Sequence, residues 1–263
     1  MKPTQAEPIQ KLVVGNLKMN ILSIAERTRY SEGFRKHLKG KSFRRVGIVL
    51  CPPFIHLEHF TKNLKRKGLA VGAQNMFSEE KGAFTGEISP MMLKNLGVTH
   101  VILGHSERRR YFAEDEPLIN AKITKALKLG LTPVCCIGET RAERDNGTTK
   151  DRLAAQLFGA LAGISGPRLD QILIAYEPVW AVGTDVFPSS NEIMEVKILI
   201  RKLIAERYGM RYAEKLRILY GGSVNARVAG QVCVDPGMDG VLVGRESLTP
   251  ADFLAIAQVI EKW

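Results

Sequence analysis

Ala175-Tyr176-Glu177-Pro178-Val179-Trp180-Ala181-Val182-Gly183 is the stretch from which the architecture can be worked out. Before it, Gln171-Ile172-Leu173-Ile174 is a short apolar, β-branched run that reads as a buried strand. After it, a Gly/Thr/Asp segment precedes renewed helical periodicity. Glu177 therefore stands where a strand ends and a loop begins. A carboxylate is costly to bury there unless something uses it. The proline after it stiffens the first loop residue, and Trp180 gives the loop an apolar anchor. The combination describes a base beneath a hinged lid, although these nine residues alone fit equally a solvated strand-end glutamate and an ordinary turn.

Moving outward, the same strand-then-helix unit recurs without recurring in sequence. Leu12–Gly15, Val46–Leu50, Leu69–Ala73, Val98–Leu103 and Pro133–Ile137 precede the Glu177 strand, and Leu216–Tyr220 and Gly240–Val243 follow it. Between them run helical faces. One is capped by Ser23 with Glu26 and carries Phe34 and Leu38 to Gly40. Another follows Pro53 through Phe60 and Leu64 to Gly68, and a third starts at Ser89-Pro90. Ile119, Ile123, Ala126 and Leu127 mark the next face, and Leu153, Leu157 and Leu161 the one after it. A capping box at Ser189 and Glu192 opens a helix that Gly209 closes, and Phe253, Ile256 and Ile260 lie on the last. The connection Gln74–Ile88 is long, polar and aperiodic, a kind of loop that is usually functional or packed on a partner.

Eight strands alternating with helices in 263 residues, with no Gly/Ser-rich linker, fit a single-domain (β/α)8 barrel, a fold that commonly needs about 250 residues. Residues 1–10 read as an N-terminal tail and 11–263 as the catalytic barrel. An open doubly wound sheet fits less well, because no Gly-rich fingerprint follows the first strand. No apolar run approaches the roughly 20 residues of a membrane span, and the polar start lacks a signal-peptide core. Cys51, Cys135, Cys136 and Cys233 have no metal-ligand spacing and read as reduced thiols of a cytoplasmic protein. The net charge of +11 is densest at Lys39–Arg45 and Lys62–Lys67, without interleaved aromatics. It reads as a solvated basic surface that attracts small anions, not as a nucleic-acid site.

In such a barrel, function collects beyond the strand C-termini. Asn16-Leu17-Lys18 follows the first strand, His105-Ser106-Glu107-Arg108 the fourth, Glu177 the sixth, Gly221-Gly222-Ser223 the seventh and Gly244-Arg245 the eighth. One rim thus receives an ammonium, an imidazole, a carboxylate and two glycine turns whose backbone N–H groups an anion can approach.

The segments GNLKMN, AQNMFSEEKGAFTGEIS, ILGHSERRRYF, CCIGET, AYEPVWAVGT, LYGGSVN and DGVLVGRESL resemble the triosephosphate isomerase family, in that family's order and spacing. The resemblance implies a barrel that interconverts dihydroxyacetone phosphate and glyceraldehyde 3-phosphate without cofactor or metal, usually as a homodimer, with no nucleic-acid or membrane partner. It assigns the base to Glu177, the electrophile to His105, a fixed positive charge to Lys18, a neutral donor to Asn16, and a Lys18-ordering or relay role to Glu107. The α-helix dipole at His105 favours a neutral ring. Phosphate would rest on the amides of Gly183, Ser223, Gly244 and Arg245 beneath a lid of Pro178, Val179, Trp180, Ala181, Val182, Gly183, Thr184, Asp185, Val186, Phe187 and Pro188. Thr85 and Glu87 would meet a second subunit, Glu87 pairing with its Arg108. Cys136 matches a family cysteine beside the base and, as a buried apolar thiol, reads as a packing residue.

Departures from the family pattern are Leu17 for Trp, the outer lid Asp185-Val186-Phe187-Pro188, and Arg245 for a glycine. Relatives acting on a four-carbon keto-sugar phosphate also carry Arg there, which keeps that substrate as an alternative. A catalytically silent basic barrel is a third reading. Pro188 has no N–H, so the family's lid bond to the tyrosine, here Tyr220, is expected to be missing. The serine latch, from Ser223 to the N–H of Asp185, is expected to remain.

Overall fold

The computed structural model describes residues 10–263; the expected tail lies outside them apart from Gln10. Strands β1 (Lys11–Asn16), β2 (Val46–Cys51), β3 (Leu69–Ala73), β4 (His100–Leu103), β5 (Thr132–Ile137), β6 (Leu173–Tyr176), β7 (Arg217–Tyr220) and β8 (Gly240–Val243) each pair in parallel with the next. β8 returns to β1, with Leu12 opposite Gly240 and Val14 opposite Leu242, so the sheet closes. Around it lie α1 (Ile24–Leu38), α2 (Leu57–Asn63), α3 (Pro90–Asn95), α4 (Ser106–Phe112), α5 (Glu116–Lys128), α6 (Arg141–Asp145), α7 (Thr149–Ala160), α8 (Ser190–Tyr208), α9 (Met210–Lys215) and α10 (Pro250–Glu261).

Side chains alternate across a strand, and here the two resulting apolar sets form separate cores. Leu12, Val14, Val49, Cys51, Ile102, Val134, Cys136, Leu173, Ala175, Leu219 and Leu242 fill the barrel. Their neighbours Val13, Ile48, Leu103, Cys135, Ile174, Ile218 and Val241 pack outward among Phe34, Phe60, Ile123, Leu157, Ile200 and Phe253 of the helices. Burial on both faces is why these strands read as unbroken apolar runs.

The capping box at Ser189 and Glu192 forms on α8 as expected. At α1 only half of one forms: Ser23 accepts the N–H of Glu26, but the Glu26 carboxylate accepts from Leu22 at 2.7 Å. α2 stops at Asn63 instead of running to Gly68, because Leu64 leaves the helical conformation at φ −114°, ψ 56°. Arg66 donates to the carbonyls of Leu38 and Lys41. β4 starts at His100, two residues later than expected, because the N–H of Val98 closes α3 on the Leu93 carbonyl at 3.0 Å. Gln171 belongs to a 3-10 turn, Gly166–Gln171, so β6 begins at Leu173. The short α6 and α9 and the π-turn Gly230–Val234 had no counterpart in the sequence reading.

Candidate active site

The inward set continues to the last residue of β1 and past the ends of β6 and β8: Val14 leads to Asn16, Ala175 to Glu177 and Leu242 to Gly244. Asn16 and Glu177 consequently lie over the mouth of the barrel, only 6% and 2% exposed. Glycines make room for Glu177. A Cβ on Gly138 would sit 1.7 Å from the Glu177 carbonyl oxygen, and one on Gly221 2.7 Å from its Cγ.

Gly104, at φ 69°, breaks the extended course of β4 and delivers His105 to the N-cap of α4. There the His105 Nδ1 accepts the N–H of Glu107 at 3.2 Å. That bond requires an unprotonated nitrogen and leaves the proton of a neutral ring on Nε2. Nε2 lies 3.2 Å from Glu177 Oε1, while Glu177 Oε2 accepts the N–H of Ser106 at 3.1 Å. One helix start therefore holds both imidazole and carboxylate. Lys18 has a left-handed backbone, φ 50°, a strain of about 1–2 kcal/mol for a non-glycine residue. Its N–H donates to Asn16 Oδ1 at 3.1 Å, its carbonyl accepts from Gln74 at 2.8 Å, and its ammonium pairs with Glu107. Lys18 and Glu107 thus form a direct ion pair.

A cavity of about 260 Å³ brings Asn16, Lys18, Gly183, Ser223, Gly244 and Arg245 together, with Thr184, Asp185 and Phe187 of the lid. Glu177 and Glu107 do not line it. They face a second cavity, of about 690 Å³, with Ser106, Cys136 and Val179. Burial, and then the Glu177 charge, push the Cys136 thiol well above the ordinary cysteine range.

The lid starts in a short turn, Val179–Ala181, anchored by a residue the sequence reading passed over. Glu139, fully buried, accepts the Trp180 indole N–H at 2.8 Å and the Tyr176 hydroxyl at 3.0 Å, and its carbonyl accepts the N–H of Val179. Arg144 lies 4.8 Å over the Trp180 ring. A carboxylate at the end of an apolar strand was the available signal for Glu139, the same one that marked Glu177. At the far end Gln231 donates to the Pro188 carbonyl at 3.0 Å.

Ser223 meets the lid differently from expectation. Its hydroxyl lies 2.8 Å from the Ala181 carbonyl and 2.6 Å from that of Thr184, its one proton serving either, and does not take the N–H of Asp185. The Thr184 hydroxyl accepts the N–H of Val186 at 3.2 Å, a tight turn beside the carbonyl that Ser223 meets. The Ser223 N–H is engaged as well, with the Ala181 carbonyl at 3.2 Å. Tyr220 is buried, and among the described residues its hydroxyl has no partner, as the loss of an N–H at Pro188 implies. Thr85 and Glu87 are exposed on the Gln74–Ile88 connection. Arg108 bonds Glu114 of its own chain at 2.7 Å and lies 4.4 Å over the Phe112 ring.

Residues 11–260 match the family model described as triosephosphate isomerase. The chain is 43% identical over 249 residues to a protein named triosephosphate isomerase from Dictyoglomus thermophilum, covering 95% of this chain and 99% of that one. It is 44% identical over 246 residues to the Alkaliphilus oremlandii protein of that name, covering 93% and 97%, and 41% identical over 245 residues to the one from Clostridium beijerinckii, again 93% and 97%. The chain belongs to the triosephosphate isomerase family.

Proposed function

We propose that this chain interconverts dihydroxyacetone phosphate and D-glyceraldehyde 3-phosphate through an enediolate, with Glu177 as the base that carries the proton between adjacent carbons. The observation that carries this reading is the joint placement of Glu177 and His105 at one helix start. That pairing is the known pattern of the family and is carried over here by membership. In the forward direction Glu177 takes a proton from C1, the electron pair moves onto the C2 oxygen, and the His105 Nε2–H and the Lys18 ammonium stabilise the developing negative charge. The C2 oxygen then gains a proton and the C1 hydroxyl gives one up, exchanged through His105 Nε2, and return of the carbon proton from Glu177 to C2 gives the aldehyde. Asn16 donates a neutral hydrogen bond beside Lys18, and Glu107 keeps that ammonium in place.

Glu177 must first release the Ser106 N–H, since the oxygen now accepting it lies away from the phosphate cavity. The amides of Gly183, Ser223, Gly244 and Arg245 bind the phosphate, which requires Ser223 to exchange the Ala181 carbonyl for a phosphate oxygen. Closure of Pro178–Pro188 excludes water, because an exposed enediolate expels its phosphate instead of being reprotonated. Nothing observed favours the four-carbon substrate or the silent barrel.

We also assign the exposed Thr85 and Glu87, with Phe84, Tyr111 and Phe112, to a homodimer interface; four free buried thiols suit a reducing, cytoplasmic setting. Among the described residues no helix is long and apolar enough to cross a membrane.

A coupled assay with glyceraldehyde 3-phosphate tests the reaction. Glu177→Gln keeps shape and polarity but cannot accept a proton, so kcat is expected to fall at least about 100-fold with the fold retained by circular dichroism. Near-normal turnover in that variant would remove Glu177 from the role.

A further inference from the structure

The Arg245 side chain has turned away from the phosphate cavity floor and onto the lid. Its Nη2 donates to the Gly183 carbonyl at 2.9 Å, and its Nη1 lies 3.6 Å from the Asp185 carboxylate. Gly183 is at φ 70°, the point where the lid leaves its first turn, and it precedes Thr184, whose carbonyl Ser223 holds. Arg245 itself opens a 3-10 turn, Arg245–Leu248, directly after β8. One residue thus offers a backbone N–H to the phosphate position and a guanidinium to the lid above it. Among the described residues the Tyr220 hydroxyl has no partner, and Pro188 has no N–H to give it.

We propose that Arg245 is a positioning residue that latches the lid through the Gly183 carbonyl, supplying from the end of β8 the restraint that Tyr220 of β7 cannot supply because Pro188 has no N–H. The Asp185 contact is secondary. That carboxylate is 95% exposed and the guanidinium 65%, so water and salt screen the pair, whereas the bond to the carbonyl is directional and charge-assisted. Phosphate and lid are coupled in consequence: whatever fixes the Arg245 backbone also fixes the origin of the side chain that holds Gly183. The proposal rests on the isomerase reading only for its kinetic consequences.

Arg245→Gly removes the side chain and keeps the N–H. In a Trp263→Phe background, Trp180 is the only tryptophan left of two, and it belongs to the lid. Temperature-jump relaxation of its fluorescence is expected to quicken in Arg245→Gly and to return partway in Arg245→Lys. This readout needs no turnover, so its failure is separable from failure of the isomerase reading. With substrate, kcat/KM should fall roughly three- to tenfold, the scale of one partly exposed charge-assisted bond. The share of turnovers that release inorganic phosphate should rise, because a loose lid admits water to the enediolate. Unchanged relaxation and unchanged phosphate release in Arg245→Gly would overturn the proposal. So would weakened binding of inorganic phosphate with unaltered relaxation, which would make the side chain a phosphate ligand.

Discussion

Tyr220 places one of the largest buried side chains in the molecule against Gly222, where an added Cβ would lie 2.2 Å from the tyrosine hydroxyl. That oxygen is enclosed and bonded to nothing among the described residues, and burial pushes its pKa up. A desolvated hydroxyl without a partner costs about 1–3 kcal/mol, so the side chain gives no return on its polarity. Tyr220→Phe is expected to leave kcat/KM within about twofold and to hold or raise the denaturation midpoint. Ser223→Ala removes the proton shared by two lid carbonyls and is expected to lower kcat/KM on the order of tenfold. Parallel kinetics and urea titrations check both, and a tenfold loss in Tyr220→Phe would mean that its hydroxyl bonds the lid in the working state. The missing tyrosine latch was legible because Pro188 removes an N–H whatever the fold does. The serine contact was harder to read because it depends on which way one peptide plane turns: in this lid position Ser223 meets the Ala181 and Thr184 carbonyls, and the Thr184 hydroxyl takes the N–H of Val186.

Among the elements, the strands were legible almost to the residue, because burial on both faces leaves them apolar and glycines and polar clusters bound them. Their errors have local causes. Val98 is as apolar as a strand residue, yet its N–H is taken by the end of α3, and Gln171 is drawn into the turn before β6. The first residue of β4 carries a stability prediction. His100 bonds Thr99 through Nδ1 at 2.7 Å, and burial together with nearby Arg217 lowers its pKa to about 4. The native ring stays neutral while an unfolded ring protonates near pH 6.5, so acidification favours the unfolded chain. This contribution is fully present above pH 6.5 and is lost as pH falls from about 6.5 to about 4. Between pH 7 and pH 5 the loss is on the order of 2 kcal/mol. His100→Asn is expected to flatten the urea-denaturation midpoint across that range; an unchanged slope would place the acid sensitivity elsewhere.

For the molecule as a whole, the two nested cores leave no cysteine accessible. All four are free and buried; Cys135 and Cys233 are pushed up to about 12 by burial, and Cys51 and Cys136 are raised by it as well. Thiol reagents at pH 8 are expected to modify none of the four in the native protein within minutes and all of them in denaturant, the native rate following global opening. Fast modification of one native thiol would reveal a local opening. The rear rim of the barrel has a different use. Gln10 donates its N–H to the Arg45 carbonyl at 2.8 Å, and the Arg45 guanidinium donates to the carbonyl of Trp263 at 3.0 Å. Arg45 lies just ahead of β2, on the rim opposite the lid, so residues 10 and 263 meet behind the chemistry. A short peptide joining Trp263 to Gln10 would let the chain be cut instead in any loop of that rear rim with every strand keeping its neighbours. A carrier or surface attached there would leave the mouth of the barrel facing solution.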